Sequence, residues 1–344
     1  MTLRRLDVPA PVAEGAVTGK SRAVDGTAAH PPWLLTLPMM LGGGALIALQ
    51  AQVNGALAHR LGTGLRASAL AAVVSFGSGL AALTLFALVN RPMGRGIVQL
   101  WHAVLRRRVP LWLVLGGLAG AFFVASQGLA AARLGIAFFV LCFVAGQSVM
   151  ALVVDHQGWG PNGRTMLTGA RVVGAALAVL AVAISGVGLT SAAPVTVVFL
   201  LLAALPLLAG LLNSVQQGVN GRLSARFSPW VTTWNNFFVG TVGLVVFLAV
   251  TLVLPGHLVG LPASLWLYLG GLCGIGFIWA STVTVRIHGV LVVGVFAIAG
   301  QVLTAALISL VTSAGTPAPT TWLAAATSLV GAAVVGLSQR RRPR

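Results

Sequence analysis

The chain has 344 residues, of which 58% are hydrophobic and only 7% charged, against about 25% charged in a soluble domain. So few charges cannot cover a water-facing surface of this size, and lipid is the solvent that fits. The net charge of +17 does not point to nucleic acid. The basic residues are nearly all Arg, in short clusters between apolar runs rather than on one face mixed with aromatics.

Residues 1–32 carry three of the four acids, with Pro, Gly and both signs of charge. They lack the apolar core of a cleaved signal, and a disordered cytoplasmic tail is expected. Apolar runs of roughly 20 residues then predict ten transmembrane helices. The first five are 35–57, 67–89, 110–132, 136–155 and 167–189; the second five are 195–221, 229–254, 264–285, 289–312 and 321–338. Breakers separate them at Asn90-Arg91-Pro92, Arg106 to Pro110, Gly158 to Gly163, Pro255-Gly256 and Thr316 to Pro319. The expected organisation is a tail (1–32), a first five-helix repeat (33–190), a second, inverted one (191–339) and a basic C-terminal tail (340–344). Arg60, Arg66 and Arg133 are the only basic residues not on one side of these spans. By the positive-inside rule, that side and both termini are cytoplasmic.

The chain repeats itself. Gln50-Ala51-Gln52-Val53-Asn54-Gly55 returns as Gln216-Gln217-Gly218-Val219-Asn220-Gly221. Trp112 with Gly116-Gly117-Leu118-Ala119-Gly120 returns as Trp266 with Gly270-Gly271-Leu272-Cys273-Gly274. Ala145-Gly146-Gln147 returns as Ala299-Gly300-Gln301. The matches keep their order and each falls in the same span of its half. Five spans per copy is an odd number, so the second copy is expected to enter the membrane the other way up, with a pseudo-two-fold axis in the membrane plane.

These motifs resemble the drug/metabolite transporter superfamily. The Val-Asn-Gly segments of the first helix of each half, Gly-Gly-Leu-x-Gly in the third and Ala-Gly-Gln in the fourth are similar to its YdcZ branch. Many members of that branch are single five-helix units, and this chain resembles a fused duplicate over about residues 34–338. The resemblance implies an all-α integral membrane protein with an EamA-like inverted five-plus-five fold. It also implies an exporter of small solutes in the plasma (bacterial inner) membrane, and names no solute.

Gln50 and Asn54 share one helix face, and Gln216 and Asn220 repeat the geometry. With Asn235 and Asn236 in span seven, they are gate candidates whose amides could exchange hydrogen bonds as the halves rock. Interhelical glue is the plainer role open to them. Gln147 and Gln301, near the middles of spans four and nine, are candidates for a substrate cavity at the repeat interface. Gln127 and Trp279 stand behind them, with core packing the plainer reading of Trp279. Asp155, the single acid of the membrane region, is expected to form an interfacial pair with Arg164, with proton coupling as the alternative.

Neither Cys142 nor Cys273 sits at a metal-ligand or disulfide spacing, and both read as apolar packing residues. No nucleotide-binding, metalloprotease or nucleophile motif is present. The sequence therefore predicts no enzyme, no cofactor, no metal and no nucleic-acid partner. It predicts a secondary transporter of a small neutral, amphipathic or weakly anionic solute working by alternating access, embedded in a lipid bilayer, with a homodimer open to it. Two rivals remain: a non-transporting scaffold or regulator, and a membrane enzyme for a lipid-linked substrate.

Overall fold

In lipid every backbone N–H and C=O must be paired within its own segment, so these apolar runs form helices although they are rich in β-branched Val. A computed structural model describes residues 33–127, 130, 136–186, 197–312 and 319–340. The tail expected over 1–32, the junction near residue 190, Arg133 and residues 341–344 lie outside them. The described helices are α1 (Trp33–Leu61), α2 (Gly64–Val89), α3 (Arg91–Leu105), α4 (Gly117–Ser126), α5 (Ile136–Gln157) and α6 (Gly169–Gly186). They continue as α7 (Val197–Arg226), α8 (Pro229–Thr251), α9 (Gly270–His288), α10 (Val290–Thr312) and α11 (Pro319–Arg340). Among the described residues, six segments are long and apolar enough to cross a membrane, and α4, α6 and α11 contain shorter apolar stretches. The protein is a helical membrane protein.

The first correction concerns the arginine-rich stretch after the second span, expected as a loop. It is helix α3, opened by the Asn90 side chain accepting a hydrogen bond from the Met93 N–H at 3.1 Å. Met93, Leu100 and Val104 are buried on one face, while Arg91, Arg95 and Arg106 are solvent-exposed. Such a stretch is too polar to span and fits the membrane surface. The second departure is a two-residue ribbon, in which Gly62–Thr63 pairs antiparallel with His257–Leu258. Beside it, the Arg66 guanidinium donates to the carbonyls of Leu252 and Leu254 at 2.8 and 2.7 Å, closing the C-terminal end of α8.

The helices cross at backbone contact. A Cβ on Gly44 would overlap the Ala297 carbonyl, and one on Gly300 the Leu41 carbonyl, where α1 meets α10. Gly146 and Gly210 meet the carbonyls of Leu207 and Phe143 in the same way, where α5 meets α7. Gly117 of α4 lies against the Asn236 carbonyl of α8, and Gly271 of α9 against the Ser75 carbonyl of α2. Small residues at such crossings allow the close van der Waals packing that holds helices together in lipid. The crossings occur in matching pairs: in the sequence repeat Gly44 corresponds to Gly210, Gly300 to Gly146, and Gly117 to Gly271. The third helix of one copy thus packs against the second copy, and the converse holds as well.

Candidate functional site

Between these crossings lies a cavity of about 80 Å³, room for several waters at roughly 10–15 Å³ each. Gln50, Asn54, Gln216 and Asn220 all line it. So do Gln127, Gln147 and Gln301, on α4's end, α5 and α10. Phe76, Phe123, Phe143 and Phe237 supply much of the apolar wall. Phe76 and Phe237 have ring centroids 5.1 Å apart, and Phe123 and Phe143 4.7 Å apart. No Asp, Glu, Lys, Arg or His is among the described lining residues.

The helices carrying the two amide pairs run further than the sequence suggests. α1 continues to Leu61 and α7 to Arg226, so Gln50 and Gln216 sit about three turns from the helix ends. Both lie buried inside the bundle. The Gly-x-x-x-Gly patterns make room for them. A Cβ on Gly116 would stand 2.8 Å from Asn220 Oδ1, and one on Gly274 2.9 Å from Gln50 Nε2. Gly270 underlies the Asn54 amide in the same manner.

The two pairs are bonded differently. Asn236 Nδ2 donates to Asn220 Oδ1 at 2.8 Å, and Asn220 Nδ2 donates back to Asn236 Oδ1 at 3.2 Å. Gln216 Nε2 donates to the same Asn236 oxygen at 2.8 Å. Asn236 is anchored in turn on the Thr232 carbonyl. The neighbouring Asn235 donates to the Val114 carbonyl at 2.8 Å, away from the cavity lining. On the α1 side, the position matching Asn236 is Ser75. Asn54 Oδ1 and Ser75 Oγ are both buried without a hydrogen-bond partner.

The mouth beside α7 is also covered by the loop after α5. Arg222 donates to the Gly158 carbonyl at 2.6 Å and the Gly160 carbonyl at 3.3 Å. Gly158 and Gly163 have φ of +72° and +68°, a left-handed turn that suits glycine. Residues 216–221 of α7 are all buried, whereas Ala51, Gln52 and Gly55 of α1 are exposed.

Two further amide side chains line the cavity that the sequence reading passed over as site residues: Asn213 and Gln217. With Gln216 and Asn220 they form a polar stripe at helical spacing on an otherwise apolar helix, and that stripe was the available signal. Trp279 is not among the lining residues; its ring packs on Trp230 with centroids 5.4 Å apart. Asp155 corrects another expectation. It is 3% exposed and pairs with Arg171 at 3.2 Å, while Arg164 is exposed. Its two oxygens also accept from the N–H groups of Val290 and Leu291 at 2.8 and 3.2 Å. Asp155 therefore caps the N-terminus of α10, where a negative charge is favoured, and its buried partner is Arg171.

A bundle of apolar helices around an amide-lined cavity defines a helical membrane protein. More particularly, the chain belongs to the YdcZ family of the drug/metabolite transporters. The family described as "Putative inner membrane exporter, YdcZ" matches it twice, over residues 35–184 and 201–337, so the family unit is duplicated. No curated protein matches the chain. A solved structure described as "Crystal structure of protein" is 18% identical, with a TM-score of 0.65, over 90% of this chain and 98% of that one. At that identity the likeness speaks for the fold alone.

Proposed function

We propose that the chain is a secondary transporter, an exporter of a small neutral or amphipathic solute, built from ten spans as an inverted five-plus-five repeat. Both termini lie in the cytoplasm. The observation that carries this reading is the cavity itself. Matching positions of the two copies line it together: Gln50 with Gln216, Asn54 with Asn220, and Gln147 with Gln301. Midplane polar groups at a repeat interface are where such transporters bind. Charge is absent among the described lining residues, which favours a neutral solute over an ion, because a bare charge there would meet no counter-ion.

Alternating access follows from the same pairing. The α7 side is closed by the Gln216–Asn220–Asn236 network and by the loop held on Arg222. The α1 side is bonded more sparsely. A conformation in which the α1 side tightens while the α7 network and its loop release would close the α1 mouth and open the other. The test uses single cysteines at Asn54 and Asn220, with Cys142 and Cys273 replaced, and an impermeant maleimide applied to intact cells and to inside-out vesicles. Labelling of Asn54→Cys from outside and of Asn220→Cys from inside is expected, with crosslinking of one mouth suppressing neither fold nor labelling of the other. Labelling of both from one side only would refute the scheme.

A further inference from the structure

Gln147, Asn213 and Gln217 form a buried amide cluster at one wall of the cavity. We infer that it is the subsite for the uncharged, hydrogen-bond-donating head of an amphipathic solute. The inference rests on the transport reading above and goes beyond it by naming the chemistry of the solute and the residues that select it.

The first ground is a break in the repeat. Positions that serve both halves alike recur in both: Gln50 with Gln216, Asn54 with Asn220, Gln147 with Gln301. Asn213 and Gln217 do not recur. Their counterparts on α1 are Ile47 and Ala51, and all four line the cavity. Gating by exchange of two halves draws mostly on matched residues, Asn236 and Ser75 apart. A single asymmetric solute needs unmatched ones, because one end must meet a polar wall and the other an apolar wall.

The second ground is the direction of the hydrogen bonds. Asn213 Oδ1 accepts from Gln217 Nε2 at 2.9 Å and from Gln147 Nε2 at 3.4 Å. Both glutamine nitrogens are thereby engaged on one oxygen. The carbonyl oxygens of Gln147 and Gln217 are left buried with no partner, on side chains 2% and 3% exposed. Buried acceptors without partners are unfavourable and uncommon. Amides that served only as glue would exhaust both functions, as Asn220 and Asn236 do by bonding reciprocally. Two buried acceptors without partners suit a ligand that donates: a hydroxyl or an amide N–H. The terminal torsion of a glutamine is soft, so each oxygen can turn to meet it.

The third ground is charge. An ammonium would satisfy the two oxygens geometrically, but among the described residues no carboxylate lines the cavity to offset its desolvation. The apolar remainder of the solute would lie along Ile47, Ala51 and the phenylalanine rings.

The experiment uses full-length protein in proteoliposomes with Cys142 and Cys273 replaced and Ser281→Cys as reporter, since Ser281 lines the cavity. Maleimide labelling is followed with hexanamide, benzamide or 1,2-hexanediol present, and with hexylammonium and hexanoate as charged counterparts. At least one neutral probe should slow labelling about tenfold while the charged ones do not, a difference of roughly 1.4 kcal/mol. Asn213→Leu and Gln217→Leu should abolish that protection. Gln217→Glu should transfer it to hexylammonium, a gain that misfolding cannot mimic. If the reporter labels but no neutral probe protects, or protection survives both leucine variants, the subsite is wrong and the transport reading stands. If Ser281→Cys labels from neither side of the membrane, there is no water path, and both fall together.

Discussion

Asn236 and Asn220 exchange amide hydrogen bonds in both directions, at 2.8 and 3.2 Å. The matching pair in the first copy, Ser75 and Asn54, has unpartnered oxygens instead. A serine has no amide donors, so the first copy cannot reproduce the reciprocal bond. The two mouths therefore differ in strength by sequence, and not only by conformation. Asn236→Ser gives α8 the residue that α2 carries, and it strands Gln216 and Asn220. We expect it to lower stability by about 1–3 kcal/mol, read by denaturant unfolding in detergent. An unchanged midpoint would show that the network contributes nothing to closure.

Backbone crossings give a paired prediction on one helix. Gly44→Ala would drive a methyl into the Ala297 carbonyl of α10, whereas Gly42 has nothing within 4 Å of its would-be Cβ. The first change should cost about 1–3 kcal/mol or more through forced separation of α1 and α10. The second should be neutral or stabilising by up to about 1 kcal/mol, since alanine is the better helix former. Melting of the two variants side by side checks it, and equal melts would mean that α1 and α10 do not cross at backbone contact.

Much of this was legible in the sequence, for physical reasons that also mark where legibility stopped. Lipid forces long apolar runs into helices, so helix identities could be read from composition. The duplicated Gln-x-x-x-Asn motif brought Gln50, Asn54, Gln216 and Asn220 to attention, and the structure places all four on one cavity. Helix α3 was missed because Met93, Leu100 and Val104 bury only a narrow stripe, too short a signal for a span search. Partner choice was missed as well. Asp155 takes Arg171 over the nearer-looking Arg164 because residues 169–186 form a helix that turns Arg171 inward, while Arg164 stays in the exposed loop. Linear proximity carries no information about which guanidinium a fold buries.

That buried pair separates a structural carboxylate from a coupling one. Asp155 holds Arg171 and two N–H groups of α10, and the residue before α10 is Gly289, with φ of +84°. Removing one partner of a buried pair costs about 3–5 kcal/mol because the other charge is left unmatched. Asp155→Asn and Arg171→Met should each fall in that range, and the double variant should cost clearly less than their sum. A denaturation cycle measures this. If Asp155→Asn instead folds as the parent does and only solute flux changes, the residue couples transport rather than capping α10.

Trp279 tests the boundary of the site. The sequence reading ranked it as a lining candidate, since an aromatic in a transport helix can stack on a solute. Its ring lies on Trp230, with centroids 5.4 Å apart, and a helix face cannot serve a neighbouring ring and the cavity at once. Trp279→Ala should therefore lower stability, with a coupling to Trp230→Ala of about 0.5–1.5 kcal/mol. It should leave solute protection of a Ser281→Cys reporter as it was. Gln147→Leu should do the opposite. Its side-chain carbonyl oxygen has no partner to lose and its amide bond to Asn213 is long at 3.4 Å, so unfolding should change little while protection disappears. Loss of protection in Trp279→Ala at parental stability would move the tryptophan back into the site.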